Sequence, residues 1–190
     1  MASSAFTDYL TVLLQDAEEL ETAHQRLRTG KAGRQWKLGA LNRGVVVLSV
    51  SAWEAYVEEL VKVSLDAIRP AAPPMGIWPA LNAAARGQVG RFNTPNPDNV
   101  RTLFLEALGL QDVTDGWYWK GVDSARARER LAEALKSRHQ IAHGINPRPT
   151  IHNQYAKRLP GFFRRLGECT DRTVREHLVA TLGVADPWPA

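Results

Sequence analysis

Cysteine is almost missing from this chain. Cys169 stands alone among 190 residues, so no internal disulfide framework can form and a reducing compartment, the cytoplasm, is expected. Long apolar runs are missing too. The richest, Val45 to Val50, is interrupted by Ser49 and falls far short of the roughly 20 residues that a bilayer span needs, so no membrane partner is expected. The opening MASSAFTDYL has no basic segment leading into an apolar one, so no secretory signal is expected. There is no internal repeat and no low-complexity tract. Acidic residues are absent from two long stretches. From Thr22 to Trp53 the charges are Arg26, Arg28, Lys31, Arg34, Lys37 and Arg43, and from Ala134 to Gly167 they are Lys136, Arg138, Arg148, Lys157, Arg158, Arg164 and Arg165. His139, His143 and His152 lie in the second stretch.

What is present fits a globular chain. Hydrophobic residues make up 44% and charged residues 23%, with the charges interspersed, and the length suits one domain over 1–190 with a sizeable core. The formal net charge is only +4. Its segregation matters more, because acids concentrate in Asp16-Glu18-Glu19-Glu21 and Glu54-Glu58-Glu59. Segregated positive charge is the footprint of a phosphate-backbone ligand, or else an ordinary solvated basic surface.

Apolar spacing predicts helices throughout. Phe6, Leu10, Leu13, Ala17, Leu20 and Leu27 recur at helical intervals over 5–28, with Thr7 and Asp8 suited to the first turn. TGKAGRQW, over 29–36, reads as a turn or mobile loop. A long second helix is predicted over 38–68 with two apolar rows. One is Leu41, Val45, Leu48, Ala52, Tyr56 and Val63; the other is Val47, Val50, Val57 and Val61, with Glu54 in its midst. A helix apolar on both sides is sandwiched, between helices of its own bundle or against a second subunit. Pro70, Pro73, Pro74 and Pro79 end it. A Pro- and Gly-rich connection follows, with a short helix near 79–86 and with Ile77, Trp78 and Leu81 available to pin it. Asn96-Pro97-Asp98 starts a helix that stops at Gly109. VTDGWYWKGV, over 113–122, is a tight aromatic loop or a short hairpin, whose aromatics either anchor it or stack bases.

The next helix, capped by Asp123 or Ser124, ends in LAEALKSRHQIAHGIN. Leu131, Leu135 and Ala142 form its stripe, and Arg138 falls on that stripe. A charge there needs a partner. Glu54, a carboxylate among valines, is the natural one unless it reaches solvent at a helix edge. His143 follows Arg138 at R-x4-H spacing and Gly144 closes the helix. The same spacing recurs at Arg172 and His177, read as a charged helix start. After Pro147 and Pro149, a helix over 151–168 carries Tyr155, Leu159, Phe162, Phe163 and Leu166, with Pro160 kinking it or delaying its start. A last helix begins at Asp171 and carries Val174, Leu178 and Leu182, and 187–190 is a frayed end.

The residue types of the motif suit RNA cleavage. RNA carries its own nucleophile, the 2′-OH. Imidazole, with an ordinary pKa near 6.5, serves as acid or base, and a helix C-terminus favours its cationic form. A guanidinium binds two phosphate oxygens at once and stabilises a phosphorane. No acidic cluster with metal-ligand spacing stands near, so no metal or other cofactor is expected. Five residues of helix turn about 500° and rise roughly 7.5 Å, so Arg138 and His143 need not converge within one subunit, whereas a two-fold axis beside this helix would unite two copies.

This stripe with its R-x4-H element, together with Trp53-Glu54-Ala55-Tyr56, resembles the HEPN superfamily and its RiboL-PSP-like branch, chiefly over 38–68 and 97–145. The resemblance implies an all-α bundle of four to six helices and a homodimer whose motif residues meet across a cleft. It implies a metal-independent endoribonuclease, an activity suited to a toxin or antiviral defence effector, with RNA as substrate and a neutralising or co-effector protein as a further partner. Arg138 and His143 match the motif and Glu54 the acidic position of the second helix; Lys136, Arg148, Lys157 and Arg158 are candidate RNA contacts. His139 departs from the Asn or small polar residue that many members place after the arginine. It is a second catalytic imidazole or the mark of an altered site, and the latter leaves a catalytically inactive RNA- or protein-binding module as the alternative.

Overall fold

Helix α2 (Trp36–Ala67) is the element on which every other helix packs. The reason is its sequence: Val45, Val46, Val50, Trp53, Tyr56, Val57, Leu60, Val61 and Leu65 point to several sides of the helix, and all are buried. A helix apolar nearly all round is a central helix. Helices of this same chain pack on it from several sides. The structure is a computed structural model that describes residues 2–29, 36–70, 76–143 and 150–188. Residues 30–35 of the loop expected over 29–36, Pro73 and Pro74, the closing Gly144, and Pro147, Arg148 and Pro149 lie outside the described residues.

Around α2 stand α1 (Thr11–Leu27), entered through a π-helical turn at Ala5–Leu10, then α3 (Trp78–Val89), α4 (Pro97–Leu108), α5 (Ser124–Ala142) and α6 (Asn153–Ala180). Among the described residues there is no strand, only an isolated antiparallel bridge between Trp119 and Val122. The architecture is an all-α bundle of six helices, as expected.

Local signals set several boundaries as predicted. The Asn96 side chain accepts a hydrogen bond from the Asn99 amide at 2.7 Å, and Pro97 opens α4. Gly109, at φ 71°, takes the left-handed conformation that ends that helix, and its amide donates to the Leu105 carbonyl. Asp123 caps α5 by accepting from the Arg126 amide at 2.8 Å. The aromatic stretch is a tight loop whose end is closed by a single hairpin pair, Trp119 and Val122 exchanging backbone hydrogen bonds at 2.9 Å. Val113–Gly116 forms a 3-10 turn, and Trp117 is fully buried with its indole N–H donating to the Thr170 hydroxyl at 2.8 Å. Arg128 of α5 clamps that turn through Thr114 and Asp115.

Other boundaries differ from expectation. α6 runs unbroken through Pro160 and Asp171, so no last helix begins at Asp171. The Asp171 carboxylate does not cap its own helix. It accepts from the Ser3 amide at 2.9 Å and from the Ser3 hydroxyl, 168 residues away. Gly167 lets Leu10 and Phe6 come close to α6, and Tyr56 donates its hydroxyl to the Gly167 carbonyl at 2.9 Å. α3 is longer than the predicted 79–86. Ile77 and Leu81 do not pin it, being 74% and 54% exposed; Ala85 and Val89 face the core instead. The chain end is docked up to Trp188, which is 5% exposed.

Candidate functional site

Helix α5 packs against α2. Ala127, Leu131 and Ala134 are fully buried and seat the helix. Leu135 is half-buried and Ala142 exposed, so the predicted stripe fades toward the helix end. Arg138 is accordingly half-buried and not a core charge. Glu54 is half-buried on α2. Burial raises its carboxyl above the usual carboxylate range, the positive charge of Arg138 draws it back, and Glu58 one turn on pushes it up. Glu54 and Arg138 therefore sense each other as charges, but they are not joined as an ion pair, which corrects the expected direct pairing. Glu58 is raised in turn by burial and by Glu59, with Lys62 opposing.

His139 and His143 come together. They lie one turn apart, both exposed, with ring centroids 4.3 Å apart and planes at 46°. His143 is the C-cap, its amide donating to the His139 carbonyl at 3.0 Å. Successive helix positions turn by about 100°, so Arg138 looks toward α2 while the imidazoles share the neighbouring outer face. Within one chain the structure thus brings His139 to His143 and the charge of Arg138 to Glu54.

The second R-x4-H copy is structural. Arg172 lies over the Tyr118 ring at 5.1 Å and donates to the Gly116 carbonyl, while the His177 ring sits 2.9 Å from the Leu108 carbonyl. Both residues lie within α6, His177 in its last turn, and not at a helix start.

Of the candidate RNA contacts, Lys136 and Arg158 are exposed and have no carboxylate partner among the described residues. Lys157 is exposed beside Glu21 at 3.8 Å. Arg148 lies outside the described residues. Lys157 borders a cavity of about 590 Å³ with Arg28, His152 and His24. His24 is only 4% exposed. Its ring is pulled below the ordinary histidine value by burial first and then by Arg28, against Glu21. Asn153 stands 3.2 Å from its Nδ1, and an amide N–H can donate there only to the neutral ring.

A folded value below the unfolded one means that this contribution is complete above about pH 6.5 and lost as pH falls through the folded value. Stability to denaturant is expected to decline as pH falls below about 6.5, and His24→Gln is expected to flatten the decline. Buried Asp171 works in the opposite sense at lower pH, so the reading is the difference between variant and wild type. Equal slopes would remove His24 as the cause.

Sequence reasoning missed Arg126 and Arg130, which with Arg158, Arg165 and Trp119 border a second cavity, about 410 Å³ in volume, between α5 and α6. The spacing of Arg126 and Arg130, one turn apart on α5, was the available signal.

With this geometry in view, the comparisons with known proteins decide the family. The chain matches the RiboL-PSP-HEPN family model over residues 11–176. It belongs to that family. Among curated proteins and solved structures, none matches it. Membership gives this HEPN protein the superfamily's general RNA-related role. The match runs from α1 into α6 and so takes in Glu54, Arg138, His139 and His143. Among the described residues no helix is long and apolar enough to cross a membrane.

Proposed function

We propose that this RiboL-PSP-HEPN protein is a metal-independent endoribonuclease that uses the RNA 2′-OH as nucleophile. The observation that carries the reading is the imidazole pair His139 and His143 at the exposed end of α5, 4.3 Å apart in an acid-free stretch. One imidazole takes the 2′-OH proton as that oxygen attacks the adjacent phosphorus. The other gives a proton to the departing 5′-oxygen, leaving a 2′,3′-cyclic phosphate and a free 5′-hydroxyl. Arg138 steadies the charge of the phosphorane, and Glu54 biases the orientation of Arg138 from α2. Because Arg138 and the imidazoles occupy adjacent faces of one helix, a homodimer with its axis beside the end of α5 would assemble both in one cleft. Lys136, Arg148, Lys157 and Arg158 would guide the strand by charge. On this reading 1–190 acts as one domain in the cytoplasm, as a toxin or antiviral effector, with a neutralising or co-effector protein as a natural partner.

The test is incubation of purified protein with single-stranded RNA in EDTA. Wild type is expected to produce cyclic-phosphate ends, and His143→Ala to lower the rate by about 10²–10⁴-fold, the usual share of a general acid or base. Equal cleavage by the two proteins would defeat the assignment. A second reading, a module that holds RNA or protein without turnover, draws on the direction of Arg138 toward α2 and on His139 behind it. RNA retention without cleavage, indifferent to His143→Ala, would favour it.

A further inference from the structure

The cleft between the first half of α5 and the first half of α6 is built unlike the motif end. Its volume is about 410 Å³, within the range of small-ligand sites and too small for a duplex. Arg126 and Arg130 border it from α5, Arg158 and Arg165 from α6, with Glu133 as the one carboxylate on its wall among the described residues. Arg126 and Arg165 are each held by a glutamate three residues on, at 2.9 and 2.6 Å. Arg130 and Arg158 are exposed and have no carboxylate partner among the described residues. Aromatic surface stands beside these cations. Trp119 and Phe162 are half-buried at the cleft, 6.0 Å apart with planes inclined at 51°, and Tyr155 adds a third ring whose hydroxyl is 3.5 Å from that of Ser137.

Two guanidinium groups on opposite walls of one cleft, without carboxylate partners among the described residues, have the chemistry to hold a phosphate. Each keeps its charge at any working pH and can engage two phosphate oxygens in its plane. A partly buried tryptophan and phenylalanine offer an apolar flank on which a flat heterocycle stacks, at a gain of about 1–3 kcal/mol per base in single-strand sites. An acidic peptide would use the cations and leave the rings idle, and an apolar ligand would leave the two arginines unanswered. One chemistry satisfies both walls, a flat ring joined to a phosphate.

We propose that this cleft binds a nucleotide unit, with its phosphate between Arg130 and Arg158 and its base against Trp119 and Phe162. The site is separate from the imidazole pair, since Arg130 lies thirteen residues before His143 on the same helix, roughly 20 Å along its axis. The inference rests on the cleft's own chemistry and goes beyond the nuclease reading. The unit is either a free nucleotide or one residue of an RNA strand.

Calorimetric titration of the full chain tests this, with AMP, with inorganic phosphate, and with a 2′-O-methyl RNA octamer that cannot be cut. AMP is expected to bind saturably and at least tenfold more tightly than phosphate. The double variant Arg130→Ala/Arg158→Ala, checked for native helicity by circular dichroism, is expected to weaken AMP at least tenfold, whereas His143→Ala leaves AMP binding unchanged. An octamer bound far more tightly than AMP, with the same loss in the double variant, assigns the unit to a strand; an octamer no tighter assigns it to a free nucleotide. No saturable AMP binding, AMP no tighter than phosphate, or AMP binding intact in the folded double variant overturns the proposal. Binding without any RNA cleavage by wild type would sink the nuclease reading and leave the cleft standing.

Discussion

Trp53→Ala is expected to leave the chain largely unfolded at ambient temperature. Trp53 is fully buried at the middle of α2, with ring centroids 5.5 Å from Tyr56, 5.9 Å from Trp117 and 6.1 Å from Phe163. Its indole N–H donates to the Pro95 carbonyl at 3.1 Å. One side chain thus joins α2, the aromatic loop, α6 and the segment leading into α4. Truncating a buried tryptophan costs about 3–5 kcal/mol in lost transfer and cavity energy. The Pro95 carbonyl, if left without its donor, adds about 1–3 kcal/mol. Small folded proteins hold only about 5–15 kcal/mol in total. Trp53→Phe separates the two effects, since it keeps most of the ring and loses the donor, and should cost markedly less. Denaturant titration followed by far-ultraviolet circular dichroism reads both. An alanine variant that unfolds at the wild-type midpoint would mean that the core is not organised around this residue.

The same residue shows which parts of the fold local chemistry could reveal. Trp53 lies in a run whose apolar rows are visible at helical spacing, and α2 came out where those rows predict. Asn96 and Asp123 act on amides three residues away, so their capping could be read from the chain. Asp171 carries the same local signal and misleads, because its partner is Ser3, 168 positions upstream. A side chain satisfied from afar has no reason to end a helix. Gly167 likewise answers to distant residues, being a place of close approach for Leu10 and Phe6. Ile77 and Leu81 carried no positional information beyond their hydrophobicity, and both face solvent.

The candidate site divides along the same line. His139 and His143 are one helical turn apart, so their meeting follows from the spacing, even though the R-x4-H pattern points to Arg138 and His143. The two copies of that pattern share only their spacing. Tertiary surroundings show what the second one does, since Arg172 and His177 are occupied by Tyr118, Gly116 and Leu108. The cleft arginines show the limit most clearly. Arg126 and Arg130 share a face of α5 by arithmetic, but that Arg158 and Arg165 stand opposite depends on how α6 lies against α5, which no local pattern encodes. The basic stretches are partly dissipated in the structure as well, Arg164 being held by Glu18 at 2.8 Å and Lys157 lying near Glu21.

Arg138→Ala should produce two effects that can be measured apart. On the nuclease reading, removing the cation that faces the phosphorane lowers RNA turnover by about 10²–10³-fold, the usual loss for one electrostatic donor. Arg138→Lys should recover only part of it, since an ammonium cannot engage two oxygens in one plane. The second effect needs no activity. Burial already lifts the Glu54 carboxyl, and the charge of Arg138 is the main influence holding it down. With that charge gone the carboxyl should titrate at higher pH, while the lysine variant stays near wild type. Carbon-detected magnetic resonance of labelled glutamate side chains would follow this, with Glu54→Gln assigning the signal. An unmoved Glu54 titration would end the claim that α2 and α5 communicate through this pair. A moved titration with undiminished cleavage would make Arg138 a structural neighbour of Glu54 and remove it from the chemistry, leaving the imidazole pair to act without a guanidinium from this helix.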